Sequence, residues 1–117
     1  MQKKCRIDIS RSEKLPVKIK KFVEKLSSNI LIKKVYLFGS VARNDFNEGS
    51  DIDLAIIGDF RERFLDRADK ILEQTELPIE PLCYTEQEFE EMKRNGNPFV
   101  AEILKGKILF NSESSRA

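Results

Sequence analysis

Apolar residues recur at helical spacing from Leu15 onward. Leu15, Ile19, Phe22, Val23, Leu26 and Ile30 step by three, four and seven positions, which lays one apolar stripe along a helix. Ser12 is suited to cap its start, Pro16 falls in a first turn where its missing N–H costs little, and Asn29 is suited to end it. The continuous run Val35-Tyr36-Leu37-Phe38 stops at Gly39, the pattern of a buried strand entering a tight turn. Gly39 to Arg43 predicts the first turn of a short helix, and residues 44–49 are polar and turn-rich. Ser50 to Ile57 alternates into a second strand, with Gly58 behind it.

Residues 61–75 predict another amphipathic helix, carrying Phe64, Leu65, Ala68, Ile71 and Leu72. Ile79 to Tyr84 predicts a third strand, which Pro78 and Pro81 assign to an edge. Thr85-Glu86-Gln87-Glu88 fits a capping box opening a helix with Phe89 and Met92 inward. Asn95-Gly96 stops that helix. Asn97-Pro98 opens the last one, through Leu104, with Gly106 as its stop. Ile108 to Phe110 is a final short strand. Residues 3–9 read as a weak strand or lead-in, and 111–117 as a polar, disordered tail. No repeat or linker interrupts the pattern.

At 117 residues and 13.6 kDa, the chain is expected to form one domain over 1–117, with its core at about 13–110. The composition, 40% hydrophobic and 35% charged, is that of a globular domain, and no apolar run approaches the ~18 residues of a membrane span. The first residues lead into no signal-peptide core, so a cytoplasmic location is expected. The absence of histidine excludes Ser-His-Asp and Cys-His catalysis and His-ligated zinc. Two distant cysteines, Cys5 and Cys83, make neither a zinc cluster nor a disulfide framework, and Cys83 reads as a core residue. Chemistry is left to carboxylates, lysines, arginines, hydroxyls or a metal held by oxygen. Residues 1–34 carry 11 Lys and Arg against 3 Asp and Glu, whereas 35–117 carry 10 against 17. Lys14, Lys18, Lys21 and Lys25 line one helix face, either a solvated stripe or a surface for an acidic partner or a nucleic acid.

The candidate chemistry lies between Gly39 and Asp53. In a strand, Asp51 and Asp53 would share a face with Cα atoms roughly 6–7 Å apart. Two such carboxylates repel and lose hydration, which a cation between them relieves. Oxygen-only ligation suits Mg²⁺ or Mn²⁺. Ile52, Leu54 and Ile56 must then pack inward, and small Ala55 on the Asp side is expected to leave room for a ligand. Gly39-Ser40 at a strand-to-helix turn exposes N–H groups to a phosphate, and Arg43 adds a charge-assisted contact. A phosphate cradle beside paired carboxylates is what metal-assisted phosphoryl or nucleotidyl transfer requires.

The run LFGSVARNDFNEGSDIDLAI resembles the signature of the polymerase beta-type nucleotidyltransferase superfamily, and most nearly its minimal nucleotidyltransferases. Gly39-Ser40, Ala42-Arg43 and Ser50-Asp51-Ile52-Asp53-Leu54 meet the pattern, and the element order over 13–110 resembles the minimal fold. Asn44 departs from the usual Gly, a mild change because Asn tolerates positive φ. The resemblance implies an α/β (α+β) fold, a small mixed, twisted sheet flanked by helices. It implies that Gly39 and Ser40, with Arg43 and Ser50, bind the nucleotide. Asp51 and Asp53 would hold Mg²⁺, and a third carboxylate from a neighbouring strand would complete the catalytic set. Glu80 is the candidate, although it is Glu where Asp is commoner and Pro81 follows it.

The implied reaction is transfer of a nucleoside monophosphate, AMP from ATP, to a hydroxyl of a protein partner. Small relatives resemble the antitoxin half of toxin–antitoxin pairs, with a helical HEPN toxin as partner. The competing expectation is a catalytically weak or inactive nucleotide-binding module that neutralises a partner by contact alone. Homo-oligomers and nucleic acid on the basic helix are further, less favoured partners. An antibiotic nucleotidyltransferase is disfavoured because such relatives resemble longer, two-domain chains.

Overall fold

The computed structural model describes residues 15–43 and 51–112. In chain order the elements are helix α1 (Leu15–Asn29), strand β1 (Ile32–Phe38), helix α2 (Gly39–Ala42), strand β2 (Ile52–Gly58), helix α3 (Phe64–Leu72), strand β3 (Ile79–Tyr84), helices α4 (Glu86–Arg94) and α5 (Pro98–Leu104), and strand β4 (Lys107–Asn111). The strands form one mixed sheet in the order β3-β2-β1-β4. β1 runs antiparallel to β2 and β4, and β2 runs parallel to β3. The parallel pair follows from α3, because two parallel neighbours need a crossover between them.

Alternating side chains divide the core between the two sheet faces. On one face Val35, Leu37, Ile52, Leu54 and Ile56 pack with Leu15, Ile19, Phe22, Val23 and Leu26 of α1 and Ile71 of α3. The helical stripe and the inward strand residues expected from the sequence therefore meet here. On the other face Tyr36, Phe38, Ala55 and Ile57 pack with Phe89 of α4 and Val100 and Ile103 of α5. Edge placement of β3 holds, and it explains Pro81: an edge strand has one ladder to satisfy, not two. The capping box also holds. Thr85 Oγ1 accepts from the Glu88 N–H at 3.1 Å, and Glu88 Oε1 accepts from the Thr85 N–H at 2.9 Å. Asn97 caps α5 by accepting from the Phe99 N–H at 2.8 Å, with Pro98 at its first position.

Several expectations are corrected. β1 begins at Ile32, three residues before the apolar run, because pairing with β2 extends to Ile32 opposite Gly58. β2 begins at Ile52, so Asp51 precedes the strand rather than lying within it. The tail is shorter than read: Asn111 belongs to β4, and the Ser112 N–H donates to the Lys33 carbonyl at 2.9 Å. The expected strand at 3–9, the Ser12 cap and residues 113–117 lie outside the described residues.

The inward face of α3 also differs. Leu65 is 76% exposed, and Phe64 and Leu72 are each 42% exposed, while Arg67 is buried at 7%. The guanidinium forks onto Glu88 at 2.8 and 3.2 Å and donates to the Cys83 carbonyl at 3.1 Å and the Glu62 carbonyl at 2.8 Å. It also lies 5.7 Å from the Phe60 ring centroid. A pattern reader assigns the interior to leucine; here a fully paired arginine outcompetes it, since its stem packs like an apolar chain while its donors join α3, β3 and α4. Arg67→Ala should lower stability by about 3 kcal/mol, because a buried network loses its hub. Urea unfolding measures it, and a loss under ~1 kcal/mol would reduce Arg67 to a surface ion pair.

Candidate functional site

The parallel register of β2 and β3 sets Asp53 directly beside Glu80. The antiparallel register of β1 and β2 sets Asp53 opposite Phe38, the residue before Gly39. Gly39 has φ +78°, a left-handed conformation that glycine adopts without strain. It has a second reason to be glycine: a Cβ there would collide with Asp53 Oδ2 and lie 3.1 Å from Asp53 Cγ. Three strands thus deliver a bare backbone turn and two carboxylates to one end of the sheet.

The electrostatics follow from this crowding. The Asp53 carboxyl is pushed up to about 6, first by burial and then by the charges of Glu80 and Asp51, with a hydrogen bond from Glu80 adding to the shift and Arg43 opposing it. A carboxyl held above its ordinary range prefers to keep its proton. In chelator, the native state then binds more protons than the unfolded chain between pH about 4 and about 6. Stability from this group must therefore fall as pH rises through that window and level off above it. Glu62 and Glu88 are both held below their ordinary range, chiefly by Lys70 and Arg67, and pull the other way. The Asp53 contribution is accordingly the difference between melting curves of wild type and Asp53→Asn at pH 4 to 7; parallel curves would remove it.

Asp51 is exposed just ahead of β2, and Glu80 is exposed on β3. Ser40 is half-buried in α2. Arg43 caps the end of α2, its N–H donating to the Gly39 carbonyl at 3.1 Å, and its guanidinium reaches Glu102 at 3.7 Å. Ser50 lies outside the described residues, as do residues 44–49. The donor set, oxygen-only and mutually repelling, fits a hard divalent cation. Among the described residues, no three His, Cys, Asp or Glu side chains converge tightly enough to form a metal cluster. Asp53 and Glu80 are the pair brought together, with Asp51 acting on Asp53 through its charge.

Ala55 does not leave room for a ligand. It is fully buried in the layer that Tyr36 and Phe38 form with Phe89 of α4 and Val100 and Ile103 of α5. Cys83 is buried as expected, and burial pushes its thiol up to about 12, which makes it an inert core residue. Lys18, Lys21 and Lys25 are exposed along a groove of about 640 Å³ beside Phe22 and Leu77. Lys25 Nζ donates to the Gln74 carbonyl at 3.2 Å. Lys14 lies outside the described residues.

Sequence reading missed one group. Glu102, Lys105, Gly106 and Lys107 join Phe38, Gly39, Ala42 and Arg43 around a cavity of about 160 Å³. Nothing in a Lys-Gly-Lys triplet announces this; it depends on β4 lying next to β1.

The nucleotidyltransferase domain model matches residues 18–110 of this chain. A Methanocaldococcus jannaschii protein named "Putative protein adenylyltransferase" is 36% identical over 96 residues, covering 79% of this chain and 94% of that protein. A crystal structure of "a putative nucleotidyltransferase from Sulfolobus solfataricus" superposes with a TM-score of 0.58 at 23% identity, over 78% of this chain and 82% of that one. That likeness bears on the fold, which it shares.

Proposed function

The chain belongs to the nucleotidyltransferase domain family, and from that premise we propose that it transfers AMP from ATP to a hydroxyl of a partner protein, with Mg²⁺ as its cofactor. The observation that carries this reading is the Asp53–Glu80 pair beside Gly39, with the Asp53 carboxyl raised by burial and then by its acidic neighbours. Acidic oxygens forced together at a glycine turn are what a cation and a phosphate chain would neutralise. On this reading residues 1–117 form one nucleotidyltransferase domain that works in the cytoplasm.

Asp51, Asp53 and Glu80 would hold Mg²⁺, or Mn²⁺ in its place. The bound ion would offset charge building on the phosphate oxygens and on the leaving group. Gly39 and Ser40 would bind the triphosphate through backbone N–H and hydroxyl, with Arg43 and Ser50 as further contacts. The acceptor oxygen attacks the α-phosphorus, the bond from that phosphorus to the bridging oxygen breaks, and pyrophosphate leaves. A carboxylate of the Asp53–Glu80 pair, placed beside the turn at Gly39, takes the hydroxyl proton. Rate enhancement of this kind comes from positioning and charge stabilisation, so the lack of histidine is no obstacle.

Support for AMP and a protein acceptor comes from the name of the Methanocaldococcus jannaschii relative. Support for a toxin of the HEPN kind comes from the resemblance to small antitoxins and from the exposed Lys18-Lys21-Lys25 row, which suits an acidic partner surface. Charge reversal at Lys18 and Lys21 should weaken that complex about tenfold, measured by calorimetry; unchanged affinity would return the row to solvent. A second reading, neutralisation by contact alone, is favoured by the exposed, pre-strand position of Asp51 and the open arrangement of the carboxylates. Intact-mass spectrometry decides between them. The chain is co-expressed with the product of its neighbouring gene and given ATP and Mg²⁺. A partner that gains adenylyl mass with wild type but not with Asp51→Asn/Asp53→Asn supports transfer. A stable, unmodified complex supports contact alone.

A further inference from the structure

We propose that Lys105, after α5, and Lys107, at the start of β4, hold the far end of the polyphosphate whose near end lies at Asp53 and Gly39; the inference rests on the nucleotide reading above. The sheet order supplies the geometry. Across one end of the sheet run Glu80 on β3, Asp53 on β2 and Phe38 on β1, and Lys107 on β4 pairs with the adjacent Leu37. Neighbouring strands lie ~4.8 Å apart, so β2 and β4 are separated by ~10 Å. Along that end the acidic residues lie on β3 and β2 and the lysines at β4, with the Gly39 turn between them; by register Lys107 leaves β4 on the face of Leu37, opposite to Asp53, and it comes beside Gly39 at the strand's end, where it lines the cavity with Lys105. A phosphate chain that starts at the carboxylates and crosses Gly39 arrives at the lysine turn.

The turn is held firmly. A Cβ on Gly106 would collide with the Leu37 carbonyl oxygen and lie 3.0 Å from the Phe38 Cβ, so the backbone is pressed against the end of β1. The Gly106 N–H donates to the Ile103 carbonyl at 3.0 Å, and the Lys105 N–H to the Ala101 and Glu102 carbonyls at 3.2 and 3.3 Å. Both lysines and Arg43 line the same cavity as Gly39. Among the described residues neither lysine is tied up in an ion pair. Glu102 lines the cavity too and reaches Arg43 across 3.7 Å in a loose, exposed pair. That carboxylate is the anion a terminal phosphate displaces.

The two sets of charges predict opposite signs. Calorimetry with Mg²⁺ compares ATP, inorganic tripolyphosphate and AMP on wild type, Lys105→Gln/Lys107→Gln and Glu102→Gln. The lysine variant should bind ATP and tripolyphosphate about 20-fold more weakly, with AMP changed less than about twofold, since AMP lacks the far phosphates. Glu102→Gln should bind ATP about threefold more tightly, because a competing carboxylate is gone. Thermal melts check that all three proteins are folded; Gln preserves helix propensity at Lys105 should its only role be to cap α5. Unchanged ATP and tripolyphosphate affinity in the lysine variant overturns the inference while ATP binding by wild type keeps the nucleotide reading. Lysine-dependent tripolyphosphate binding without any ATP binding does the reverse. A wild type that binds neither overturns both.

Discussion

Asp53→Asn is expected to reduce nucleotidyl transfer at least ~10³-fold, the scale on which enzymes lose a group acting directly on developing charge. The same variant should melt no lower than wild type in chelator at pH 7, and higher if its neighbours dominate. The reason is the crowding at the sheet's end: burial, Glu80 and Asp51 all resist ionisation of Asp53, and an amide removes that penalty while keeping the shape. Added Mg²⁺ should raise the melting temperature of wild type more than that of the variant, since a ligand stabilises only the state that binds it. Loss of activity with loss of folding would mean that Asp53 is structural. Retained activity in a folded variant would remove Asp53 from the catalytic set and leave Asp51 and Glu80 to explain the transfer.

Gly39→Ala is the second large effect. A residue with a side chain at φ +78° costs about 1–2 kcal/mol from backbone strain alone. Here the new methyl also meets the Asp53 carboxyl, so the total should reach about 3 kcal/mol or more. Gly96 provides the control: its φ is +70°, and a Cβ there meets nothing within 4 Å. Gly96→Ala should therefore cost only the strain, about 1 kcal/mol. In an Asp53→Ala background the Oδ2 and Cγ atoms are gone, and Gly39→Ala should fall to the cost of Gly96→Ala. Such coupling is what a double-mutant cycle measures between touching residues. Additive losses in urea unfolding would show that Gly39 and Asp53 do not share that space.

Much of the local structure was legible because it is written in short-range chemistry. The six-residue stripe from Leu15 to Ile30, the Thr85–Glu88 box and the Asn97-Pro98 start all recur in the structure as read. Each depends on neighbours within a turn or two. The reading failed where one residue type can satisfy two roles. Leu65 looked interior and Arg67 exterior, but Arg67 found four hydrogen-bonding and ring partners, Glu62, Cys83, Glu88 and Phe60, and Leu65 was left in water. Ala55 looked like space and proved to be the floor of a packed layer.

The amino-acid sequence by itself determined the period of each element, the caps that bound it, the glycine turn after β1 and the acidic pair at the start of β2. It also determined what chemistry is absent, since a chain without histidine can run neither Ser-His-Asp nor Cys-His catalysis. Tertiary structure alone decided which elements lie side by side. Periodicity records that a face is apolar but not what will cover it, and alternation records that a strand pairs but not with which neighbour. Only the parallel register of β2 and β3 sets Glu80 against Asp53, and only the β1–β4 pairing carries Lys107 to Gly39. These contacts link residues tens of positions apart, where burial of the whole sheet, rather than any local preference, selects the arrangement.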